Sequence, residues 1–248
     1  MRHSLLFLYC IPLITSCQLA VVKNGKPQAR IVVNQEDSTA MQAANLMQDF
    51  LKRISGAELA IIPDDSKIEK GDILIGDFQL PLKNLDTSQI KEDGFFISTQ
   101  DGYIRIVGGK GKGTIYGAVT LLEDYLGVRY YAENMPVYTE TKNIALPAKI
   151  NKIDNPSFRY RQTQGYSIKD PVYKLWHRLD EPNEVFADNL WVHTFNSILP
   201  AAQYGESHPE YYALINGERR PGAASQWCLT NPEVLELAAA RIDAIFKA

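Results

Sequence analysis

The first 150 residues predict an α+β domain, a mixed sheet carrying two helices. Three observations carry that prediction. Short β-branched and aromatic runs recur at Arg30-Ile31-Val32-Val33, Leu59 to Ile62, Ile73 to Ile75, Phe95 to Ser98 and Tyr103 to Val107. Two longer stretches instead repeat apolar residues every three to four positions, the period of a helix buried on one side. Asp101-Gly102, set between two strand-like runs, is a hairpin signal. A hairpin pairs strands antiparallel and a helical crossover pairs them parallel, so the sheet is expected to be mixed.

In the first helix, Ser38 or Thr39 is the expected cap, and Ala40, Ala43, Met47, Phe50, Leu51 and Ile54 share one face. Gly56 supplies the left-handed residue on which helices commonly end. The second helix places Ile115, Ala118, Val119, Leu122, Tyr125 and Leu126 on one face and stops before Gly127, with a short strand expected over Arg129 to Tyr131. Its entry, Gly108-Gly109-Lys110-Gly111-Lys112-Gly113, invites a phosphate-loop reading. Both relevant spacings fail. A Walker loop needs G-x-x-x-x-G-K-[ST], and here Lys112 precedes Gly113 while Thr114 follows it directly. A dinucleotide fingerprint needs G-x-G-x-x-G in a parallel unit, and here the preceding strand lies in a hairpin. The glycines are read instead as a turn needing φ > 0, with Gly117 and Ala118 allowing close packing of helix on sheet.

Composition sets the outer bounds. The 248 residues are 45% hydrophobic and 22% charged, which is ordinary for a folded chain. A net charge of −3 and a pI near 5.9 exclude the basic bias of nucleic-acid binders, so no nucleic-acid partner is expected. The start is distinctive. Met1-Arg2-His3 precedes the apolar run 4–16, too short for a membrane span, which ends in Ile14-Thr15-Ser16-Cys17. That ending resembles a bacterial lipobox, which implies a signal peptide over 1–16, cleavage before Cys17 and lipidation of the Cys17 thiol. Removing Arg2 takes the mature chain to −4. Only Cys228 then remains as a free thiol, so no internal disulfide is expected. The expected localisation is the bacterial cell envelope, lipid-anchored at the outer membrane or facing the periplasm, with the membrane as a partner.

Gly113-Thr114-Ile115-Tyr116-Gly117-Ala118, followed by Leu121-Leu122-Glu123 and Leu126-Gly127-Val128-Arg129-Tyr130-Tyr131, resembles the N-terminal domain of several glycoside hydrolases. This is the β-N-acetylhexosaminidase-like domain shared with bacterial α-glucuronidases. The resemblance implies an accessory domain, over 17–150, that precedes a catalytic barrel and usually carries no catalytic residue. Pro147 to Pro156 reads as a linker into the second segment, 151–248.

In that segment Pro156-Ser157-Phe158-Arg159-Tyr160-Arg161 resembles the opening of the first barrel strand in hexosaminidase-like enzymes, where an arginine binds sugar hydroxyls. By position that residue is Arg161. The alternative is a structural salt bridge, and Gln162 stands where the family has glycine. The series His193-Thr194-Phe195, Leu199-Pro200, Tyr204, His208-Pro209-Glu210-Tyr211, Asn216-Gly217 and Cys228 to Glu233 resembles a bacterial family of unknown function, number 4838. Membership implies a hydrolase-like (β/α)8 barrel acting on polysaccharide. A barrel needs about 200 residues at minimum, and only about a hundred follow position 150, so an incomplete barrel in a longer protein is expected.

The substrate-binding candidates are Arg161, Trp191, His193, Tyr204 and His208, with Tyr211 and Trp227 as further aromatics suited to stacking on sugar faces. His193 ends an apolar run, where a barrel strand would present it. His177, His193 and His208 are not read at metal-ligand spacing, so no metal and no cofactor are expected. Asp170, Asp180, Glu181, Glu184 and Asp188 read as solvated charges or helix ends, and Glu210 and Glu218 as turn residues. None is taken as the general acid of a glycosidase. Thr230 and Glu233 form a capping-box pattern before a helix whose face runs through Leu235, Ala238, Ala239, Ile242, Ile245 and Phe246. The expected function is an envelope lipoprotein related to glycoside hydrolases, cleaving glycosidic bonds in a complex glycan when full length. The rivals are a non-catalytic carbohydrate-binding lipoprotein and a purely structural surface module.

Overall fold

The computed structural model describes residues 18–78, 87–163, 169–180 and 186–247. The expected signal peptide and Cys17 lie outside the described residues, as do Glu181 and Glu184. The chain forms two compact units. One reaches Arg159 and resumes over Thr163–Arg178; the other takes Tyr160–Gln162 and runs on from Leu179.

The strands and helices of the first unit follow the chain as β1 (Gln18–Lys23), β2 (Lys26–Pro27), β3 (Ile31–Val33), α1 (Ser38–Ser55), β4 (Ile61–Pro63), β5 (Ile73–Ile75), β6 (Phe95–Ser98), β7 (Ile104–Gly108), α2 (Gly113–Leu126), β8 (Arg129–Tyr130), β9 (Pro136–Val137), β10 (Ile144–Pro147), β11 (Asn151–Asp154) and α3 (Pro171–Trp176). Six strands make one sheet in the order β11-β6-β7-β5-β3-β4. β4, β3, β5 and β7 run parallel, while β6 and β11 are antiparallel. The expected mixed sheet is therefore present. A second sheet, β10-β1-β2, uses the segment that precedes the first crossover.

Alternation decides which side chains meet the helices. Ile31, Val33, Ile73, Ile75, Phe95, Ile97, Ile104 and Ile106 join Met47, Phe50, Leu51, Ile115, Val119 and Leu122 in one core. α1 and α2 pack side by side on this sheet face. Each such side chain, fully removed from water, contributes about 1.5–3 kcal/mol. The cap of α1 is Asp37, one residue before the expected serine or threonine: its carboxylate accepts from the backbone N–H of Thr39 and Ala40. Gly56 ends the helix at φ 77°, as expected.

The glycine loop proves to be a packing device, and for a different reason than the one expected. Gly108, Gly109, Gly111 and Gly113 are not among the residues of positive φ. Their constraint is steric. A Cβ on Gly113 would lie 1.9 Å from the Gly94 carbonyl oxygen, on Gly109 2.0 Å from that of Lys91, and on Gly108 2.0 Å from the Thr114 nitrogen. The loop's own donors are used in this contact. Gly109 N–H donates to Gly94 O (2.9 Å), Gly111 N–H to Glu92 O (2.7 Å) and Lys112 N–H to Asp93 Oδ1 (2.9 Å). Gly117 continues the theme inside α2, where a Cβ would sit 2.6 Å from Ile106 Cγ2.

The expected linker 147–156 contains a strand, β11, and the last residue of β10. β11 pairs antiparallel with β6, because the alternation in Asn151–Asp154 suits the open edge that β6 offers. The first unit then takes α3 as well. Trp176 is 1% exposed, packs its ring against Phe50 (4.9 Å) and Tyr130 (5.7 Å), and donates from Nε1 to Glu123 (2.6 Å). Asp170 caps α3 through the N–H groups of Val172 and Tyr173 and accepts from the Tyr130 hydroxyl at 2.8 Å. It is a helix end, as expected, but a buried one. Burial alone would raise the Asp170 carboxyl; the Tyr130 hydroxyl and three backbone N–H groups bring it below the usual carboxylate range. Burial, reinforced by Asp170, pushes Tyr130 up to about 12.

The second unit is built differently. Its elements are α4 (Phe195–Ile198), α5 (Ala201–Tyr204), the hairpin β12 (Leu214–Ile215) and β13 (Glu218–Arg219), and α6 (Pro232–Lys247). Asn216 (φ 52°) and Gly217 (φ 83°) turn the hairpin, as that dipeptide favours. Among the described residues this unit has no parallel strand pair, so the expected barrel start has no counterpart in them. Residues 186–230 are rich in Gly, Pro, Asn and Ser and poor in the β-branched runs that buried parallel strands require. Trp191 to Phe195, expected to end a strand, bends instead at His193 (φ 53°). The core is small: Leu199, Tyr211, Tyr212 and Val234, flanked by Ala201, Tyr204, Trp227 and Leu237. α6 is capped by Asn231, whose Oδ1 accepts from Glu233 N–H, and not by Thr230. Its buried line passes through Val234 and Ala238, leaving Leu235 and Phe246 in solvent.

The glycine contacts make a graded prediction. Gly113→Ala drives a methyl into backbone and is expected to cost about 3 kcal/mol, while Gly117→Ala meets the side chains of Ile106 and Phe95, which can shift slightly, and costs less, about 1–2 kcal/mol. Urea unfolding of the two variants measures this; parental stability in Gly113→Ala would contradict the Gly94 contact.

Candidate functional site

All five predicted substrate-binding residues fall in the second unit, but they do not converge on one site. Arg161 is held by Asp180. Nη2 lies 3.3 Å from Oδ1, the Arg161 N–H donates to Oδ2 at 2.9 Å, and Asp180 N–H returns a bond to Arg161 O at 2.7 Å. The two side chains are only 16% and 7% exposed. This is the structural salt bridge that stood as the alternative for Arg161. It also corrects the reading of Asp180 as solvated: its carboxylate is buried and takes both the Arg161 guanidinium and the Arg161 N–H.

His193 is exposed and lines a cleft of about 640 Å³, together with Thr194, Phe195, Asn196, Ser225 and Gln226. That volume lies within the range of small-molecule sites. Phe195 stacks on Trp227 with centroids 4.1 Å apart and planes 9° apart. Phe195 gives the cleft an aromatic lining residue, while the imidazole, amides and hydroxyls around it offer both donors and acceptors. The bend at His193 is what turns the imidazole side of this segment toward Asn196 and the 223–226 loop. Trp191, Tyr204, His208 and Arg161 do not line this cleft.

Tyr204 and His208 meet elsewhere, around Tyr211. Tyr211 is 4% exposed, which removes it as a stacking surface for sugar. Its ring lies parallel to that of His208 (4.6 Å, 5°) and 6.1 Å from that of Tyr204. Its hydroxyl donates to Glu233 Oε2 at 2.8 Å, and His208 Nδ1 lies 3.1 Å from Glu210 Oε1. The hydrogen bond to Glu233, with burial and the charge of Glu210 behind it, pushes Tyr211 up to about 12. Backbone and His208 contacts hold Glu210 below the usual carboxylate range. Trp191 is half-buried.

Sequence reasoning missed Asn196, Ser225 and Gln226. The one available signal was Ala223-Ala224-Ser225 after Pro221-Gly222, a run of small residues that leaves space beside an aromatic. It also passed over His208-x-Glu210, which is a ligand-type spacing, contrary to the reading of the histidines as unrelated to metal.

In the first unit, the cleft of about 770 Å³ beside the glycine loop is lined by Asp37, Asp77, Lys91, Glu92, Lys110 and Thr114, among others. The N–H groups of Gly109, Gly111 and Lys112 are spent on the 92–94 segment. These three donors are therefore engaged within the unit, as a packing turn requires.

Comparison with known families identifies the two parts of the chain. Residues 16–121 match the family described as glycosyl hydrolase family 67 N-terminus, and residues 130–248 match the domain of unknown function DUF4838. The chain is thus similar to an α-glucuronidase-type N-terminal domain over its first part and to DUF4838 over its second, a likeness that relates it to glycoside hydrolases. None of the curated proteins compared with the chain matches it. Among solved structures, a family GH115 4-O-methyl-α-glucuronidase with specificity for decorated arabinogalactans is 20% identical, with a TM-score of 0.45 over 57% of this chain and 19% of that one. A GH138 enzyme targeting pectin rhamnogalacturonan II is 20% identical, with a TM-score of 0.28 over 45% of this chain and 11% of that one. The chain spans less than a fifth of the length of either.

The Arg161–Asp180 pair is expected to hold the second unit together. Asp180→Ala leaves a guanidinium that is largely buried without this carboxylate and should destabilise that unit by about 2–3 kcal/mol, at the low end for buried pairs because Arg161 keeps some solvent. Urea unfolding followed by tryptophan fluorescence reads the loss; an unchanged midpoint would show the pair to be dispensable.

Proposed function

We propose that this chain belongs to an envelope lipoprotein of the glycoside hydrolase type, which engages complex glycan through the His193–Phe195 cleft. The observation that carries the proposal is the family 67 N-terminal domain, a domain type whose company is sugar chemistry. The cleft supports it: an aromatic lining residue meets the C–H faces of a pyranose, and the surrounding amides, hydroxyls and imidazole pair with its hydroxyls. The (β/α)8 barrel belongs to the same proposal, as the catalytic body to which residues beyond those described contribute.

A second reading, a non-catalytic carbohydrate-binding lipoprotein, is favoured by one observation. No Asp or Glu lines the described cleft, whereas glycosidases place two carboxylates across the scissile bond. Binding is therefore the property assigned to this cleft, and hydrolysis to the full-length protein. Hydrolysis of a chromogenic glycoside by the full-length protein, or sugar binding without turnover, separates the two readings.

Affinity electrophoresis through gels holding uronate-bearing or neutral polysaccharides tests the cleft. Retardation is expected, and His193→Ala should weaken it about tenfold, equivalent to about 1.4 kcal/mol, without altering stability because His193 is exposed. No retardation on any polysaccharide leaves the structural-module reading standing. The lipid anchor has its own test. Fatty-acid labelling of cells expressing the protein should mark the wild type and not Cys17→Ser, which should leave the membrane fraction; a labelled Cys17→Ser protein would contradict the lipobox assignment.

A further inference from the structure

We infer that His208, Glu210 and Glu233 form a binding site for a divalent transition-metal ion, of which zinc is the representative. The inference is independent of the carbohydrate reading. One ligand atom from each residue lies within 4.8 Å of the other two. Zinc with nitrogen and oxygen ligands at about 2.0–2.2 Å sets its ligand atoms roughly 3.3–3.5 Å apart. His208 Nδ1 and Glu210 Oε1, at 3.1 Å, already stand near that separation. Glu233 closes the remainder by a rotamer adjustment of about 1 Å, open to it because its side chain is exposed.

The three residues are placed by the fold and do not merely drift together. Pro209 starts a tight turn over Pro209–Tyr211 that sets His208 and Glu210 two positions apart. Glu233 stands in the first turn of α6, where Asn231 caps its N–H. Buried Tyr211 joins the two elements: it stacks on the His208 ring and donates its hydroxyl to one oxygen of Glu233. A core residue that orients both an imidazole and a carboxylate is the supporting contact that metal ligands require. The charge balance points the same way. Two carboxylates and a neutral imidazole carry −2, which one divalent cation cancels. The imidazole selects zinc-like ions over calcium or magnesium, which take oxygen shells. Three protein ligands leave the fourth tetrahedral position for water or for an oxygen of a bound molecule.

The test is isothermal titration of zinc chloride and of magnesium chloride into the purified protein, freed of metal with EDTA and then dialysed. The comparison variants are His208→Gln, Glu210→Gln and Glu233→Gln. One zinc per chain is expected, with affinity at least tenfold weaker in each variant. Zinc should also raise the thermal midpoint of the wild type, and a hundredfold excess of magnesium should not displace it. Glu233→Gln keeps an acceptor for Tyr211, and Glu210 is exposed, so these two decide the matter should His208→Gln fail to fold. Absence of zinc binding by the folded wild type overturns the site. So does zinc binding of undiminished affinity in Glu210→Gln and Glu233→Gln, which would place the ion on other groups such as Cys228.

Discussion

The first unit depends on the distance between α2 and the strands beneath it. Gly108, Gly113 and Gly117 bring the loop and helix so close to Gly94, Thr114 and Ile106 that no side chain fits between. That approach lets Ile115, Val119 and Leu122 reach the same core as Phe95, Ile104 and Ile106. It also determines what the loop can do. The N–H groups of Gly109, Gly111 and Lys112 hold the 92–94 segment, so these three serve packing within the unit.

The second unit has little apolar surface to bury and compensates with specific polar contacts. Among the described residues its core joins Leu199, Tyr211, Tyr212 and Val234, flanked by Ala201, Tyr204, Trp227 and Leu237. Around that core the Arg161–Asp180 pair, the Tyr211–Glu233 hydrogen bond and the pairing of Tyr212 with Trp227 tie segments that are distant in sequence. Tyr211 is central, since it packs inward, stacks on His208 and orients Glu233. The same residues thus carry stability and the chemistry assigned to this unit, and a substitution among them reads as both.

Much of the first unit was legible in the chain. Period-2 and period-3.6 patterns placed β5 and β6 to the residue, and Gly56 and Gly127 marked the ends of α1 and α2, because these signals are local and each residue's preference agrees with the fold. The α1 cap was misplaced by one residue, since Asp37, Ser38 and Thr39 are all competent caps and only the path of the backbone chooses between them. The stretch 147–156 was taken for a linker because its prolines and charges obscure a strand that exists only by pairing with β6.

For the site, the chain's own chemistry determined the candidates: which imidazoles, aromatics and cations are present, and that their pattern resembles DUF4838. Tertiary structure decided how they are grouped. It gave Arg161 to Asp180, set His193 beside Phe195 and the 223–226 loop, and sent His208 to Glu210 and Glu233. These groupings bring together residues up to 33 positions apart, and local preference carries no information about them. Only the closure of the chain on a small core, with every buried charge required to find a partner, selects among the pairings that the residues allow.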